Sequence, residues 1–294
     1  MTLCQVERSV TPKRQGCLCC GGTSIDPVYL GCRDHYVRTP FIVDYHRCSD
    51  CGLLQQYPAP NDVSAFYAAY PVHARKGVLY RALRKWVMSP TYFRPPCGRP
   101  IVLLDYGCGD GWYLESLVGR GIELLGYEMD TGHARKLSGR LGIPVLSNRD
   151  EMFARHGGAV DVVTMHFVLE HLTDLHGGFE DAQRLLRPGG FFYFVVPQAS
   201  SLEGRLFGRR WHALDPPRHI TFPEPAVVGA LAGRHGFKLT DHYAVPFPNG
   251  FAGSIPMMLL GRFNSALFAL SLPLGIVASR LAPGGARAFI LTRR

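Results

Sequence analysis

Short apolar runs alternate with amphipathic stretches from residue 101 to the end of the chain. The runs with the length and composition of buried strands are IVLLD, IELLGYE, IPVL, VDVVTM, FFYFVV, FKLTDHYAV and ARAFILTRR. Stretches with helical spacing lie between them, near residues 112–120, 131–141, 174–187 and 224–235. This alternation predicts a parallel sheet covered by helices on both faces. We therefore expect an α/β fold with a seven-stranded, mostly parallel sheet.

The first hundred residues follow a different pattern. Residues 1–16 indicate a tail, and residues 17–57 combine most of the nine cysteines with the β-rich runs DPVYL and FIVDY. Residues 58–99 indicate a helical linker, with helix candidates at VSAFYAAY and at 78–87, and with proline-rich ends. The expected organisation is thus a tail, a small module, a linker and a large domain over 100–294.

One segment of the large domain, residues 246–285, is almost entirely apolar. Its only charged residues are Arg262 and Arg280. The longest uncharged stretch, 263–279, is shorter than the ~20 residues that a transmembrane helix needs, and Pro273 and Gly275 are expected to break it. The segment could be a helical cap or dimer interface, a lid over an apolar substrate, or a surface that makes peripheral contact with a membrane.

Composition and charge indicate a globular protein and bear on its binding partners and cellular location. Hydrophobic residues make up 47% of the 294 residues, which is ample for a globular core. The net charge of +9 is spread along the chain rather than concentrated in one tract, which argues against a nucleic-acid partner. The N-terminal stretch has no apolar run typical of a signal peptide, so we expect a cytoplasmic, reducing location. The sequence leaves the oligomeric state open.

Three glycines follow the first strand of the large domain in the sequence LLDYGCGDG. Position 112 is Trp, so the dinucleotide pattern GxGxxG is absent, and no Lys-Ser or Lys-Thr pair completes a phosphate-binding loop. Asp105 and Asp110 flank the glycines, and carboxylates repel a pyrophosphate. These acids favour a ligand that carries positive charge and lacks phosphate. S-adenosylmethionine has a sulfonium and an amino group, and Glu128, at the end of the second strand, could accept both ribose hydroxyls.

The motifs DYGCGDG, GYE, VDVVTMHFVLEHLTDL and LLRPGGFFYFVVPQ resemble those of class I S-adenosylmethionine-dependent methyltransferases over residues 100–245. The resemblance implies a Rossmann-like fold and a cofactor site. It implies that the cofactor site is formed by Asp105, Gly107, Gly109, Gly111 and Glu128, with His166 or Phe167 beside the sulfonium. On the adenine side, Asn148 and Asp150 are both candidates.

Two Cys-x-x-Cys-Gly knuckles lie in the N-terminal module. Their cysteines, Cys17 with Cys20 and Cys48 with Cys51, predict a tetrahedral zinc site of the zinc-ribbon type. Four thiolates close the coordination shell, so the expected role of the zinc is structural. Other candidate ligands remain open at this point: Cys19, Cys32 and His35. Cys108, in the glycine turn, is expected to be a packing residue.

A zinc ribbon joined to this fold through CGLLQQYPAP and FYAAY resembles bacterial deoxysugar C-methyltransferases. Those enzymes usually carry a further C-terminal α/β domain, and this chain has the apolar segment 246–285 in its place. The resemblance implies methyl transfer to oxygen or carbon of a small-molecule acceptor: a sugar, a natural product or a lipid-linked compound. Two alternatives are an RNA methyltransferase and a non-catalytic zinc scaffold that only binds the cofactor.

Two histidines are candidates for the base that a hydroxyl or carbon acid requires. His171 follows the fourth strand, and His219 lies in the loop WHALDPPRHITF after the fifth. The resemblance implies that both are active-site histidines, although Arg218 stands where a glutamate would precede the second. An arginine there suits an anionic acceptor. The pocket wall is expected to include Trp211, Tyr67 and Tyr70.

Overall fold

The structure is a computed structural model that describes residues 13–67, 78–93 and 100–294. The strands are β1 (Lys13–Arg14), β2 (Ile25–Arg33), β3 (Ile42–Cys48), β4 (Leu54–Gln56), β5 (Ala59–Pro60), β6 (Ile101–Tyr106), β7 (Ile122–Tyr127), β8 (Val145–Leu146), β9 (Val160–His166), β10 (Leu186–Pro197), β11 (Thr221–Phe222), β12 (Phe237–Val245) and β13 (Ala286–Arg293). The helices are α1 (Ser64–Tyr67), α2 (Val78–Met88), α3 (Trp112–Leu117), α4 (Thr131–Leu141), α5 (Arg149–His156), α6 (Leu175–Leu185), α7 (Leu202–Phe207), α8 (Pro225–Arg234), α9 (Pro248–Leu260) and α10 (Ser265–Leu281).

Seven strands form the main sheet, in the order β12-β13-β10-β9-β6-β7-β8. Strands β8, β7, β6, β9 and β10 pair in parallel, and β13 is antiparallel to both of its neighbours, β10 and β12. Strand β12 therefore runs with the parallel strands, and β13 alone is reversed. This arrangement confirms the predicted α/β fold with a seven-stranded, mostly parallel sheet.

The sheet buries both of its faces, as the continuous apolar runs of its strands indicated. Neighbouring residues of one strand lie in different core clusters. Leu103 packs with α3 and α4, and Leu104 packs with the cluster that contains α5, α6 and α8. Val162 and Val163 of β9 divide in the same way. The two-residue period of the strands thus supplies one apolar row to each helical layer.

A second sheet joins the N-terminal module to the large domain. Its order is β11-β4-β3-β2, so the last strand comes from the loop between β10 and α8. Thr221 pairs with Gln55, and Phe222 pairs with Leu54. The module therefore shares its sheet with the loop that carries His219.

The apolar segment 246–285 forms two helices, α9 and α10, that pack against each other. The expected break at Pro273 and Gly275 is wrong, because α10 continues through both residues for 17 residues in all. Gly275 has a packing role instead, since a Cβ there would lie 2.6 Å from the carbonyl oxygen of Pro248. Among the helices that the structure describes, none has the length and apolar character needed to cross a bilayer.

Candidate functional site

The glycine turn follows β6 at the carboxyl edge of the main sheet. All three glycines have positive φ angles, 73° at Gly107, 52° at Gly109 and 73° at Gly111. A Cβ at Gly107 would lie 2.8 Å from a methyl of Val168, and one at Gly111 would lie 2.6 Å from a methyl of Leu137. A Cβ at Gly109 would meet nothing within 4 Å. Two glycines therefore permit close packing, and Gly109 faces open space.

Three acids surround this turn, each with a defined partner. Asp105 is buried and accepts a hydrogen bond from the Thr164 hydroxyl at 2.6 Å. Glu128 accepts one from the backbone N–H of Gly109 at 3.1 Å, which holds its carboxylate against the turn. Asp110 forms an ion pair with Arg84 of α2 at 2.5 Å. The positive charge that the sequence led us to expect near Asp110 therefore comes from the protein.

His166 and Phe167 end β9, beside the turn. The His166 side chain is buried, and its Nε2 donates to the Thr91 carbonyl at 3.0 Å, while Nδ1 lies 3.5 Å from Asp105 Oδ1. Phe167 has a φ of 57°, a conformation that costs a non-glycine residue about 1–3 kcal/mol. Its ring stacks on Phe247 with centroids 5.4 Å apart. The strained backbone thus directs Phe167 towards the start of α9.

His171 and His219 come together although one follows β9 and the other precedes β11. Their ring centroids lie 4.5 Å apart at 78°. His171 Nδ1 lies 2.8 Å from the Tyr67 hydroxyl and 3.1 Å from the Arg218 carbonyl, and His219 Nδ1 lies 2.7 Å from the Ala213 carbonyl. Burial lowers the pKa of both histidines, that of His219 to about 3, so both rings are neutral near pH 7.

Glu170 is fully buried beside this pair. Within the part of the chain that the structure describes, neither of its carboxylate oxygens has a hydrogen-bond partner. Burial raises the pKa of Glu170 to about 8. Glu170 is not among the residues predicted from the sequence, although its position directly before His171 and shortly after a parallel strand was a usable signal.

Arg218 does not face an acceptor, so the expectation that it suits an anionic acceptor is wrong. Its guanidinium is completely buried and bonds to both oxygens of Asp34, at 2.8 and 3.1 Å. It also bonds to both oxygens of Asp215, at 2.9 and 2.6 Å. Two carboxylates occupy the guanidinium, so Arg218 anchors the loop of His219 to the N-terminal module.

The expected pocket wall is only partly supported. Tyr67 contacts His171, as described above, and Tyr70 lies outside the described residues. Trp211 is buried in a core cluster, and its Nε1 donates to Glu203 at 3.0 Å, so it is a packing residue.

Of the adenine-side candidates, Asn148 caps α5 by accepting from the Glu151 N–H at 2.9 Å, and Asp150 is exposed in the first turn of that helix.

A comparison with known protein families adds an independent observation to this geometry. The sequence profile of a family described as "Methyltransferase domain" matches residues 78–242, more than half of the chain. The chain belongs to this methyltransferase family. Its sheet and glycine turn are accordingly those of a class I, S-adenosylmethionine-dependent methyltransferase.

Individual relatives match parts of the chain. The ubiquinone biosynthesis O-methyltransferase of Acinetobacter baumannii (strain AYE) is 34% identical over 105 residues, covering 31% of this chain and 42% of the relative. The protein of the same name from Pectobacterium carotovorum subsp. carotovorum (strain PC1) is 30% identical over 164 residues, covering 48% and 69%. A solved structure of a SAM-dependent methyltransferase from Archaeoglobus fulgidus aligns with a TM-score of 0.47 and 17% identity, over 73% of this chain and 93% of that one. This chain thus spans less than half the length of the Acinetobacter relative.

The residues around the turn fit S-adenosylmethionine. Asp105 and Glu128 offer carboxylate oxygens, which are acceptors suited to an ammonium group and to ribose hydroxyls. The open space beside the Cα of Gly109 leaves room for a ligand against the turn. Neither carboxylate suits a phosphate, so the donors and acceptors of the site match a cofactor that is cationic.

The four knuckle cysteines also come together. Their Sγ atoms all lie within 4.8 Å of one another, with Cys17 to Cys51 at 3.4 Å and Cys20 to Cys48 at 3.5 Å. Thiolates on a tetrahedral zinc lie about 3.8 Å apart, so the four thiols fit such an ion. Two of the other candidates lie elsewhere, since Cys32 packs in a different cluster and His35 bonds to the Gly261 carbonyl. Cys19 lies beside the site, where its backbone N–H donates to Cys17 Sγ at 3.4 Å. Cys108 is buried, in keeping with a packing residue.

Proposed function

We propose that this protein transfers the methyl group of S-adenosylmethionine to an oxygen atom of a small-molecule acceptor. One observation carries the proposal: two groups of side chains lie at the carboxyl edge of the main sheet, where adjacent parallel strands end. The first is the glycine turn with Asp105 and Glu128, after β6 and β7. The second is His171, which follows β9, together with His219, which the loop after β10 brings beside it. Ligands of open α/β sheets bind at this edge.

In the proposed division of labour, the turn holds the cofactor and the histidines act on the acceptor. Gly107, Gly109 and Gly111 with Asp105 bind the methionine end, Glu128 binds the ribose, and His166 and Phe167 lie beside the sulfonium. When bound, S-adenosylmethionine supplies a methyl group on an excellent leaving group, so the protein mainly aligns the reactants. His171 and His219 are neutral and bind and activate the acceptor hydroxyl, which removes the need for a free alkoxide.

Oxygen is preferred over carbon because the matching curated relatives are named O-methyltransferases. The N-terminal cysteine module is the feature on which the resemblance to deoxysugar C-methyltransferases rests. Hydroxylated sugars and nucleotide-linked sugars therefore belong in the acceptor screen, beside phenols and lipid-linked hydroxyl compounds. Scattered basic charge gives no support to an RNA acceptor. Tight cofactor binding without turnover on any acceptor would instead support the non-catalytic scaffold.

The first test is calorimetric titration with S-adenosylhomocysteine and, separately, with NAD. We expect micromolar binding of the former and none of the latter. Glu128→Ala should abolish binding, whereas Glu123→Ala, which removes an exposed acid from the same strand, should not change it. Binding of NAD, or full binding by Glu128→Ala, would contradict the proposal.

The second test concerns the histidines. His219→Asn should keep the affinity for S-adenosylhomocysteine and reduce methyl transfer from labelled S-adenosylmethionine by ~10²–10⁴-fold. Asparagine preserves a donor towards the Ala213 carbonyl, so the loop keeps its anchor. Turnover equal to that of the unaltered protein would exclude His219 from acceptor activation.

We also propose that Cys17, Cys20, Cys48 and Cys51 bind one structural zinc. Burial raises the pKa of Cys51 to about 12, so a thiolate at that position needs a cation. The knuckles connect directly to the large domain, because Arg234 and His176 both donate to the Cys19 carbonyl. Zinc would thus order the surface on which α6 and α8 rest.

The apolar helix pair α9–α10 supports a peripheral membrane contact and a lipid-linked acceptor. Leu259, Leu270 and Leu281 are 70%, 78% and 82% exposed, which is unusual for three leucines on neighbouring helices. Arg280 stacks on the half-exposed Trp86 at 4.7 Å, and the segment 246–285 carries no acidic residue. Apolar side chains with basic residues suit an anionic bilayer.

Flotation with phosphatidylglycerol vesicles tests this contact. We expect the protein to float with the vesicles, the Leu270→Asp and Leu281→Asp double variant to remain in solution, and Leu30→Asp, at an exposed leucine of β2, to float. Failure to float would contradict the membrane contact. A concentration-dependent dimer that the double variant abolishes would show that these leucines contact a second copy of the chain instead.

A further inference from the structure

Glu170 lies in a cluster with His171 and His219, and the proposed methyl transfer gives this acid no role. Ligand atoms of Glu170, His171 and His219 all lie within 4.8 Å of one another. A carboxyl group that only served packing would be an unusual choice here, because a buried polar group without a hydrogen-bond partner costs free energy even when it is neutral. The cluster therefore needs a partner.

The two imidazoles are oriented with one nitrogen occupied and the other available. A carbonyl oxygen only accepts, so the contact of His219 Nδ1 with the Ala213 carbonyl places the proton on Nδ1. His171 Nδ1 lies 3.1 Å from the Arg218 carbonyl, so a proton on Nδ1 satisfies that carbonyl, and the Tyr67 hydroxyl at 2.8 Å then accepts from the same N–H. Both Nε2 atoms then carry a lone pair. Histidines that bind metals show this pattern, in which the second nitrogen donates to a carbonyl or carboxylate.

Glu170 completes the set with a carboxyl group, which becomes negatively charged when a cation binds beside it. It is fully buried, and among the described residues its two oxygens have no hydrogen-bond partner. The backbone around it is firmly held, since the Ile220 N–H donates to the Glu170 carbonyl at 2.5 Å. The ligand atoms of one cation lie about 3 to 4 Å apart, so small side-chain rotations bring these three groups into range.

We propose that Glu170, His171 and His219 bind a divalent transition-metal cation in a second metal site, separate from the cysteine cluster. Two imidazoles and one carboxylate suit Zn²⁺, Mn²⁺ or Co²⁺ and leave coordination positions open. The thiolates of the cysteine cluster are softer ligands and close their own shell, so the two sites differ in chemistry.

The acceptor hydroxyl could bind to the cation at its open coordination position. This role rests on the proposed function. A hydroxyl bound to the cation loses its proton to solvent more readily. The oxygen then bonds to the methyl carbon as the carbon–sulfur bond breaks, and the electron pair stays on sulfur. His171 and His219 would then activate the hydroxyl through the cation rather than by accepting its proton.

Cobalt titration of the zinc-loaded protein tests the binding, because the cysteine cluster is then already filled. We expect one equivalent of Co²⁺ to bind, with visible d–d bands and no thiolate-to-cobalt charge-transfer band. Glu170→Gln and His219→Asn should each weaken Co²⁺ binding by about 100-fold or more. His242→Asn, at an exposed histidine of β12, should bind as the unaltered protein does.

The affinity for S-adenosylhomocysteine, measured on the same samples, shows whether each variant is folded. Absence of Co²⁺ binding to nitrogen and oxygen ligands, or equal binding by folded Glu170→Gln and His219→Asn, would overturn the second site and leave the proposed methyl transfer intact. Co²⁺ binding that follows the expected pattern establishes the site even if no acceptor is methylated, an outcome that would contradict only the proposed function.

Discussion

The contact between Asp34 and Arg218 makes a quantitative prediction about stability. Burial acts to raise the pKa of Asp34, but the hydrogen bonds and charge of Arg218 outweigh it and hold that pKa at about 2, below the usual 3.8. A carboxyl with this change on folding contributes about 2 kcal/mol to the free energy of unfolding near neutral pH. Asparagine resembles the protonated carboxyl in shape. Asp34→Asn should therefore lower the free energy of unfolding at pH 7 by about 2 kcal/mol.

The sign of the pH dependence follows from the lowered pKa. The contribution of Asp34 is present above pH 3.8 and is lost as the pH falls towards 2, so the difference between Asp34→Asn and the unaltered protein should shrink over that interval. Urea unfolding of the zinc-loaded protein measures it, with Asp241→Asn, at an exposed acid of β12, as the control. Arg218→Met, which leaves two buried carboxylates, should cost about 3–5 kcal/mol. Equal stability of Asp34→Asn and the unaltered protein at pH 7 would refute the reasoning.

Three further predictions concern the zinc, the turn and a buried acid. Cys48→Ser should lose the zinc of the cysteine cluster, whereas Cys32→Ser should retain it, as metal analysis of zinc-loaded protein will show. Gly111→Ala should destabilise the fold by about 1–3 kcal/mol, because Gly111 has a positive φ and a Cβ there would overlap the Leu137 side chain. The control Gly139→Ala, in α4, should stabilise the fold by up to about 1 kcal/mol, and thermal melts compare the two variants. Burial raises the pKa of Glu203 to about 7, so stability should fall as the pH rises from 4.5 through 7, and Glu203→Gln should be about 3 kcal/mol more stable than the unaltered protein at pH 8.5.

Most of the large domain could be predicted from the sequence because its elements depend on local patterns. The run VDVVTM is buried on both faces of the sheet, so its unbroken apolar character was itself the evidence for a central strand. Helix α10 was harder, because proline and glycine usually interrupt a helix. The close approach of Gly275 to Pro248 of α9 is a tertiary contact that no window of sequence reveals.

In the candidate site, too, local sequence patterns could be predicted and tertiary contacts could not. The glycine turn and Glu128 could be predicted because a strand, a turn and a strand-end acid have fixed spacings. The partners of Arg218 could not, since Asp34 lies far away in sequence and the guanidinium's environment decides its role. Burial likewise decides the role of Glu170, and only the three-dimensional structure shows that its oxygens lie beside two histidines.

Strand β11 has a consequence for how the protein is made. The N-terminal module leaves the ribosome early. One edge of β4 has no partner strand until Thr221 and Phe222 of β11 have been synthesised. An unpaired strand edge is a site of aggregation. The edge of β4 is therefore unpaired for most of translation. A truncated chain that ends before β11 should aggregate more readily than the whole chain.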